Sequence, residues 1–217
     1  MPLDPIFISI LTDIVATLAG AMSPGVYDTM IKIALPLLSS ATANAKEEES
    51  WIASTAIDLM TSLARGSPES GLGDNFFALA APALFASLGK AEDRDLIQVF
   101  LLSSIFQPIS LNVLQNGIEC LTIIIRKDCH QVMLWKDGEG RSGLDYVLKL
   151  VANLLESQDE AGGLFIGDLI IHLFRKAGGS ILPVLPQLLQ AMVARMKTVK
   201  TASFLQVCFA FGYGSHR

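Results

Sequence analysis

The chain of 217 residues carries 21 acidic against 16 basic side chains, a net charge of −5 and a pI of about 5.2, which argues against the basic face of a general nucleic-acid binder. Hydrophobic residues make up 51% and charged residues 17%, with a mean hydropathy of +0.48, so the chain can bury a large core and a membrane span has to be tested. Three cysteines, Cys120, Cys129 and Cys208, with no CxxC spacing, give no disulfide framework and fit a reducing compartment.

The N-terminus, MPLDPIFISILTDIVATLAG, has no Lys or Arg ahead of its apolar part and is interrupted by Asp4 and Asp13, so it makes a poor signal peptide. Its spacing predicts a helix over 5–19, with Phe7, Leu11, Ile14, Val15 and Leu18 on one face. Gly20 and Ser23-Pro24-Gly25 break it from a second helix over 24–40. A second pair is expected over 46–65 and 74–88, with GSPESGLG as the turn and Ile52, Ala56, Leu59, Met60 and Leu63 as the first stripe. Glu47, Glu48 and Glu49 fall in the first turn of that pair, where the helix dipole favours anions. A third pair is expected over 92–106 and 110–125, opening on Glu92, Asp93 and Asp95 as a solvated, capped N-terminus.

The longest uncharged run, Leu96–Ile118, lies in that third pair. It reaches the roughly 20 residues that a bilayer core requires. Gln98, Ser103, Ser104, Gln107, Ser110, Asn112, Gln115 and Asn116 are scattered through it, at a cost of several kcal/mol in lipid, so no membrane span is expected.

After the loop WKDGEGRSG, expected to be flexible, the pattern gives helices over 144–155 and 159–177. Leu144, Val147, Leu148, Val151, Leu154 and Leu155 line the first. Ile166, Leu169, Ile170, Leu173 and Phe174 line the second. A Gly-Gly break and the prolines Pro183 and Pro186 then open a helix with Leu185, Leu188, Leu189, Met192, Val193 and Met196 on one face. A partner for it is expected from about residue 201.

The pairs begin about 40 to 50 residues apart, the period of two-helix solenoid repeats. A helix pair with one apolar face each buries that face only against another pair. The expected fold is therefore all-α, an α-α superhelix of the HEAT or armadillo type with about five helix pairs, and a helical bundle without repeats is its rival. Residues 1–217 read as one such unit.

Sites of chemistry are sparse. Gly138, Gly140 and Gly143 match G-x-G-x-x-G, but no strand is expected before them, as a dinucleotide fingerprint requires. Cys129-His130 has no second Cys/His cluster at zinc spacing, so no metal site is expected, and neither G-x-S-x-G nor H-E-x-x-H occurs. His172 reads as a partly buried structural residue, and Cys120 and Cys208 as small core residues. Trp51 reads as core, whereas Trp135, beside a charged loop, is an open candidate for a partner anchor. Arg195, Lys197 and Lys200 cluster near a helix end, which dipole complementarity explains without a ligand.

Five segments carry a family resemblance: WIASTAIDLMTSLARGSPE (51–69), NGIECLT (116–122), LWKDGEGRSGLDYVLKLVANLLES (134–157), LFIGDLIIHLFRKAGG (164–179) and LLQAMVARMKTVKTASFLQ (188–206). Together they resemble the C-terminal part of a receptor of the importin-β (karyopherin-β) superfamily. The resemblance is specific from residue 116 onward and looser before it. It implies HEAT repeats, nuclear import between cytoplasm and nucleus, no catalytic residues, no cofactor and no enzymatic activity. It also implies basic protein cargo, such as histones, held on an acidic surface.

The chain departs from that pattern in three respects. Whole receptors are several times longer, so it reads as a fragment, and the repeats that bind the GTPase Ran have no counterpart in it. VFLLSSIFQPISLNVLQ intervenes between EDRDLIQ and NGIECLT, and VCFAFGYGSHR replaces the continuation after SFLQ. The insertion at about 99–114 and the tail at about 207–217 read as translated intron. The acidic groups then expected to meet cargo are Glu47, Glu48, Glu49, Glu92, Asp93, Asp95, Glu156, Asp159 and Glu160. The alternative function is a HEAT-repeat scaffold or adaptor outside transport.

Overall fold

The computed structural model describes residues 4–45, 50–98, 109–156 and 160–198. Among them are eight α-helices and no strand: α1 Pro5–Ala21, α2 Pro24–Asn44, α3 Ser50–Arg65, α4 Phe76–Gln98, α5 Ile109–Leu134, α6 Gly143–Glu156, α7 Glu160–Ala177 and α8 Leu185–Thr198. A short 3-10 turn, Gly178–Ile181, links the last two.

The helices stack in rows. α1 packs on α3, α3 on α5 and α5 on α7; in the second row α2 packs on α4, and α6 on α8. The rows are joined by α2 against α3, α4 against α5 and α6 against α7. This is the expected all-α helical solenoid, each interior helix burying its apolar faces against neighbours on more than one side.

Local signals set the helix ends. Asp4 caps α1 by accepting a hydrogen bond from the Ile6 N–H at 2.8 Å, and Pro5 takes the first turn, where its missing N–H costs nothing. At α6, Ser142 and Asp145 form a reciprocal capping box: Asp145 N–H donates to Ser142 Oγ at 3.1 Å and Ser142 N–H donates to Asp145 Oδ2 at 2.9 Å. Pro36 and Pro82 lie inside α2 and α4, where each deletes one backbone hydrogen bond; both are solvent-exposed.

Three polar residues of α5 clasp the turn between α3 and α4. Lys127 Nζ donates to the Arg65 carbonyl at 2.9 Å and to Ser67 Oγ at 2.8 Å, placing a cation at the negative end of α3. Gln131 accepts from the Phe77 N–H at 3.0 Å and donates to the Gly73 carbonyl at 2.7 Å, closing the start of α4. Its amide also donates to Asp128 Oδ2 at 3.0 Å. Asp128 itself leaves helical geometry, with φ −151° and ψ 78°, and kinks α5 at this clasp. At Gly66 the α3 end meets the α1 backbone. A Cβ there would collide with the carbonyl group of Ala16, so no larger residue permits this approach.

Several boundaries and faces differ from the sequence expectation. No helix begins at Glu92: α4 runs unbroken from Phe76 through Gly89 to Gln98, because one glycine costs a helix only about 1 kcal/mol. Helix α5 does not stop at Ile125 but continues to Leu134. Phe7, Ile14 and Leu18 of α1 point to solvent, while Ala19 is buried and Leu11 and Val15 are partly buried on the side toward α3. On α8, Leu188 and Met192 are buried, but Leu189 and Val193 are exposed. The segment 99–108, the tail from 199 and the expected helix from 201 lie outside the described residues.

Candidate functional site

The acidic residues expected to meet cargo fall in three stretches of the chain, 47–49, 92–95 and 156–160. Glu47, Glu48, Glu49 and Asp159 lie outside the described residues. Glu92, Asp93 and Asp95 fall in the last two turns of α4, not at a helix N-terminus, so the dipole and capping reading of that trio does not hold. Glu156 ends α6 and Glu160 begins α7.

The most highly organised polar feature is the loop between α5 and α6. It is a tight hairpin rather than the expected flexible connection. Lys136 and Ser142 pair as an antiparallel bridge, the Asp137 N–H donates to the Arg141 carbonyl at 3.0 Å, and the Gly143 N–H donates to the Trp135 carbonyl at 3.0 Å. Gly140, with φ +83°, makes the reversal that other residues resist. Gly143 is needed for a different reason, since a Cβ would press on the Val132 carbonyl and the Phe77 ring.

Asp137 is the hub of this hairpin. Its Oδ1 accepts from the Glu139 N–H at 2.8 Å and the Arg141 N–H at 2.9 Å; its Oδ2 accepts from the Tyr146 hydroxyl at 2.7 Å and Arg141 Nε at 2.8 Å. The Tyr146 hydroxyl foremost, then these other donors, hold the carboxyl well below the usual carboxylate range. The same bond pushes the Tyr146 phenol up. The glycine pattern at 138, 140 and 143 therefore serves a turn. The N–H groups that would face a phosphate already bind a carboxylate, and no strand precedes them among the described residues.

Behind the hairpin lie four aromatic rings from three parts of the chain. Phe85 of α4 stacks on Tyr146 of α6, with centroids 4.7 Å apart and planes at 19°. Phe77 meets Trp135 edge to face at 5.8 Å, and Trp135 meets Tyr146 at 6.0 Å. The Arg141 guanidinium lies 5.1 Å from the Tyr146 ring centroid. This cluster carries the contact between the α4 and α6 ends of the second row. Outside it opens a cleft of about 640 Å³, bounded by Pro82, Phe85 and Ala86 of α4, by the hairpin and by Tyr146. Lys136 and Arg141 balance Asp137 and Glu139 along its rim, and Arg141 reaches Glu139 at 3.0 Å. The cleft can offer aromatic edges and a neutral, polar rim to an inserted side chain. Trp135, left open as a partner anchor, thus forms part of an internal cluster at the edge of a recess.

Away from the cleft, the candidate reactive groups are quiet. Cys120 is buried and its thiol is pushed up to about 12, chiefly by burial; Cys129 is likewise pushed up to about 11. Both stay protonated at neutral pH. His130 is exposed. His172 is partly buried, and burial and then Arg126 hold it below its ordinary value, with Asp168 opposing. Trp51 is partly buried in the first turn of α3. Arg195 is buried and Lys197 exposed in the last turn of α8. Among the described residues no three His, Cys, Asp or Glu side chains converge as a metal site, and no helix is long and apolar enough to cross a membrane.

One carboxyl stands apart. Asp58 of α3 is partly buried, and burial raises it to about 6, with Glu119 adding and Arg65 opposing. Arg65 pairs instead with Glu119 of α5 at 2.5 Å.

No local pattern announces the Phe77–Phe85–Trp135–Tyr146 assembly, since it joins α4 to residues about 50 to 70 positions further along the chain. The Asp-Gly step at 137–138 was the one local hint of an ordered turn. No family model matches the chain.

Proposed function

We propose that the chain is a HEAT-repeat segment of an importin-9-like nuclear import receptor. It binds basic protein cargo such as histones through its helical surface, performs no catalysis itself, and travels between cytoplasm and nucleus. Ran engages repeats that this segment lacks. The observation that supports this reading is the continuous row α1–α3–α5–α7, flanked by a second row, in a chain whose segments 134–157 and 164–179 resemble that superfamily. Such an array presents many loop and helix-end side chains to one large partner, and acidic groups then sum over area.

The test is a pull-down of core histones by the full chain at about 50 mM and about 500 mM salt, where the Debye length falls from about 14 Å to about 4 Å. Retention at low salt, loss at high salt and weakening by a Glu92→Lys/Asp93→Lys/Asp95→Lys variant are expected. No retention at low salt, or retention indifferent to salt, contradicts the reading.

A second reading, a scaffold or adaptor outside transport, is favoured by the charge-balanced aromatic cleft, which is not an acidic cargo surface. Binding of Ran by the parent receptor separates the two: a transport receptor binds it and an adaptor does not.

A further inference from the structure

The cleft outside the aromatic cluster holds binding capacity that the fold does not use. Its volume of about 640 Å³ is that of a ligand site, but it is open to solvent and not an enclosed cavity. An open site of this size suits a length of extended chain better than a small molecule, most of whose surface would stay wet there. Its walls are mostly apolar. Pro82 and Ala86 stand one turn apart on α4 and are exposed, and the rings of Phe85 and Trp135 are partly exposed beside them.

The polar rim has its main acceptor filled and donors left over. Asp137 accepts four hydrogen bonds, from the Glu139 and Arg141 N–H groups, from Arg141 Nε and from the Tyr146 hydroxyl, which occupies the lone pairs of its carboxylate. Glu139 leans on Arg141 at 3.0 Å. By contrast, no described residue accepts from the Trp135 indole N–H. Lys136 adds an exposed ammonium, which donates and cannot accept. Charge does not call for an ion, since Lys136 and Arg141 balance Asp137 and Glu139. Nor does the site lack a cation: the Tyr146 ring is already covered by Phe85 at 4.7 Å and by Arg141 at 5.1 Å.

We propose that this cleft binds a proline-rich segment of a partner protein in the polyproline II conformation. Such a segment is uncharged and carries a carbonyl at every residue. Proline brings no N–H, so it needs no acceptor from a rim that has few to give. One of its carbonyls accepts from the Trp135 indole N–H, and its rings pack on Trp135 and Phe85. The extended shape is set before binding, so little entropy is lost in a shallow site. An amphipathic helix fits less well, because its carbonyls are already bonded along its flank. The inference depends on neither functional reading: a receptor and an adaptor would both carry such a site, and it uses none of the acidic groups named for cargo.

Tryptophan fluorescence of the full chain carrying Trp51→Phe tests it, since Trp135 is then the remaining tryptophan. The probe is an acetylated, amidated peptide of about ten prolines. The expected result is a saturable blue shift of the Trp135 emission, half complete below about 1 mM peptide. A Gly-Ser peptide of the same length, whose residues all bring N–H groups, is expected to bind at least tenfold more weakly, and a lysine-rich peptide likewise. Ala86→Arg, which fills the cleft from an exposed helical position, is expected to abolish the shift. Lys197→Ala, exposed on α8 and outside the lining, is expected to leave it intact. Trp135→Phe keeps a ring and removes the N–H, and is expected to weaken binding about three- to tenfold by calorimetry, the worth of one hydrogen bond. The proposal is overturned by any of four results: no shift below about 5 mM peptide, a Gly-Ser or lysine-rich peptide bound as tightly as the proline peptide, undiminished binding by Ala86→Arg, or undiminished binding by Trp135→Phe. If Trp135→Phe loses its helical circular dichroism, the Ala86→Arg comparison decides.

Discussion

Helices α1 and α5 carry the same kind of sequence, apolar residues on more than one side, and meet opposite fates. In α5, Ile118, Leu121, Ile124, Ile125 and Val132 are all buried, because α3, α4 and α7 surround it. In α1, Ile6, Ile10 and Leu18 remain open to water, because α3 is its one strongly packed partner. A two-faced apolar helix in a stacked array is thus neither buried nor exposed by its own composition; its place in the row decides.

The contrast can be broken most forcefully in the interior. Phe77 is fully buried between the α5 end and the aromatic cluster, so Phe77→Ala should cost about 3–5 kcal/mol, read as a lowered urea midpoint. A loss under about 1 kcal/mol would mean that the α4–α6 junction is loosely packed. Gly66→Ala should cost about 1–3 kcal/mol, because the new methyl meets the Ala16 backbone, which cannot rotate away as a side chain can. Its effect should appear first in α1, as faster amide exchange there than in the unsubstituted chain, with α5 unchanged.

Asp58 sharpens the comparison through pH. Its carboxyl is raised to about 6, so the folded state holds the proton more tightly than the unfolded chain. The penalty for its ionisation is present above pH 6 and is relieved as pH falls toward 4. Asp58→Asn should therefore raise stability by about 1 kcal/mol at pH 7.5, allowing for solvent screening of a partly exposed group, and leave it nearly unchanged at pH 4. Equal effects at both pH values would show that the carboxyl is not perturbed. The smallest effect is expected at the open face. Phe7→Ala should change the stability of the chain by less than about 0.5 kcal/mol, although Phe7 is as apolar as Phe77.

The same contrast explains what was legible beforehand. The spacing that predicts a helix over 5–19, and the Pro and Gly signals at 20–25, match α1 and α2 closely. Period and punctuation are local properties, and they also placed α6 and α7 to within two residues. Glu92 misled because acidic residues at a helix start and acidic residues inside a long helix look alike in sequence, and Gly89 proved too weak a break. The outward turn of Phe7, Ile14 and Leu18 was invisible, because periodicity finds a stripe but not its neighbour. The aromatic cluster and the Lys127–Gln131 clasp were invisible for a related reason: they join residues about 50 to 70 positions apart, and nothing local encodes that meeting.

The account rests on stacking order. Hydrogen exchange followed by mass spectrometry on the full chain addresses it directly. Amides of α5, covered on both sides, should exchange slowest, those of α3 next, and those of α1 faster by at least tenfold, opening without the rest. Exchange of α1 and α5 at one common rate would describe a single cooperative globule instead of a row of stacked helices.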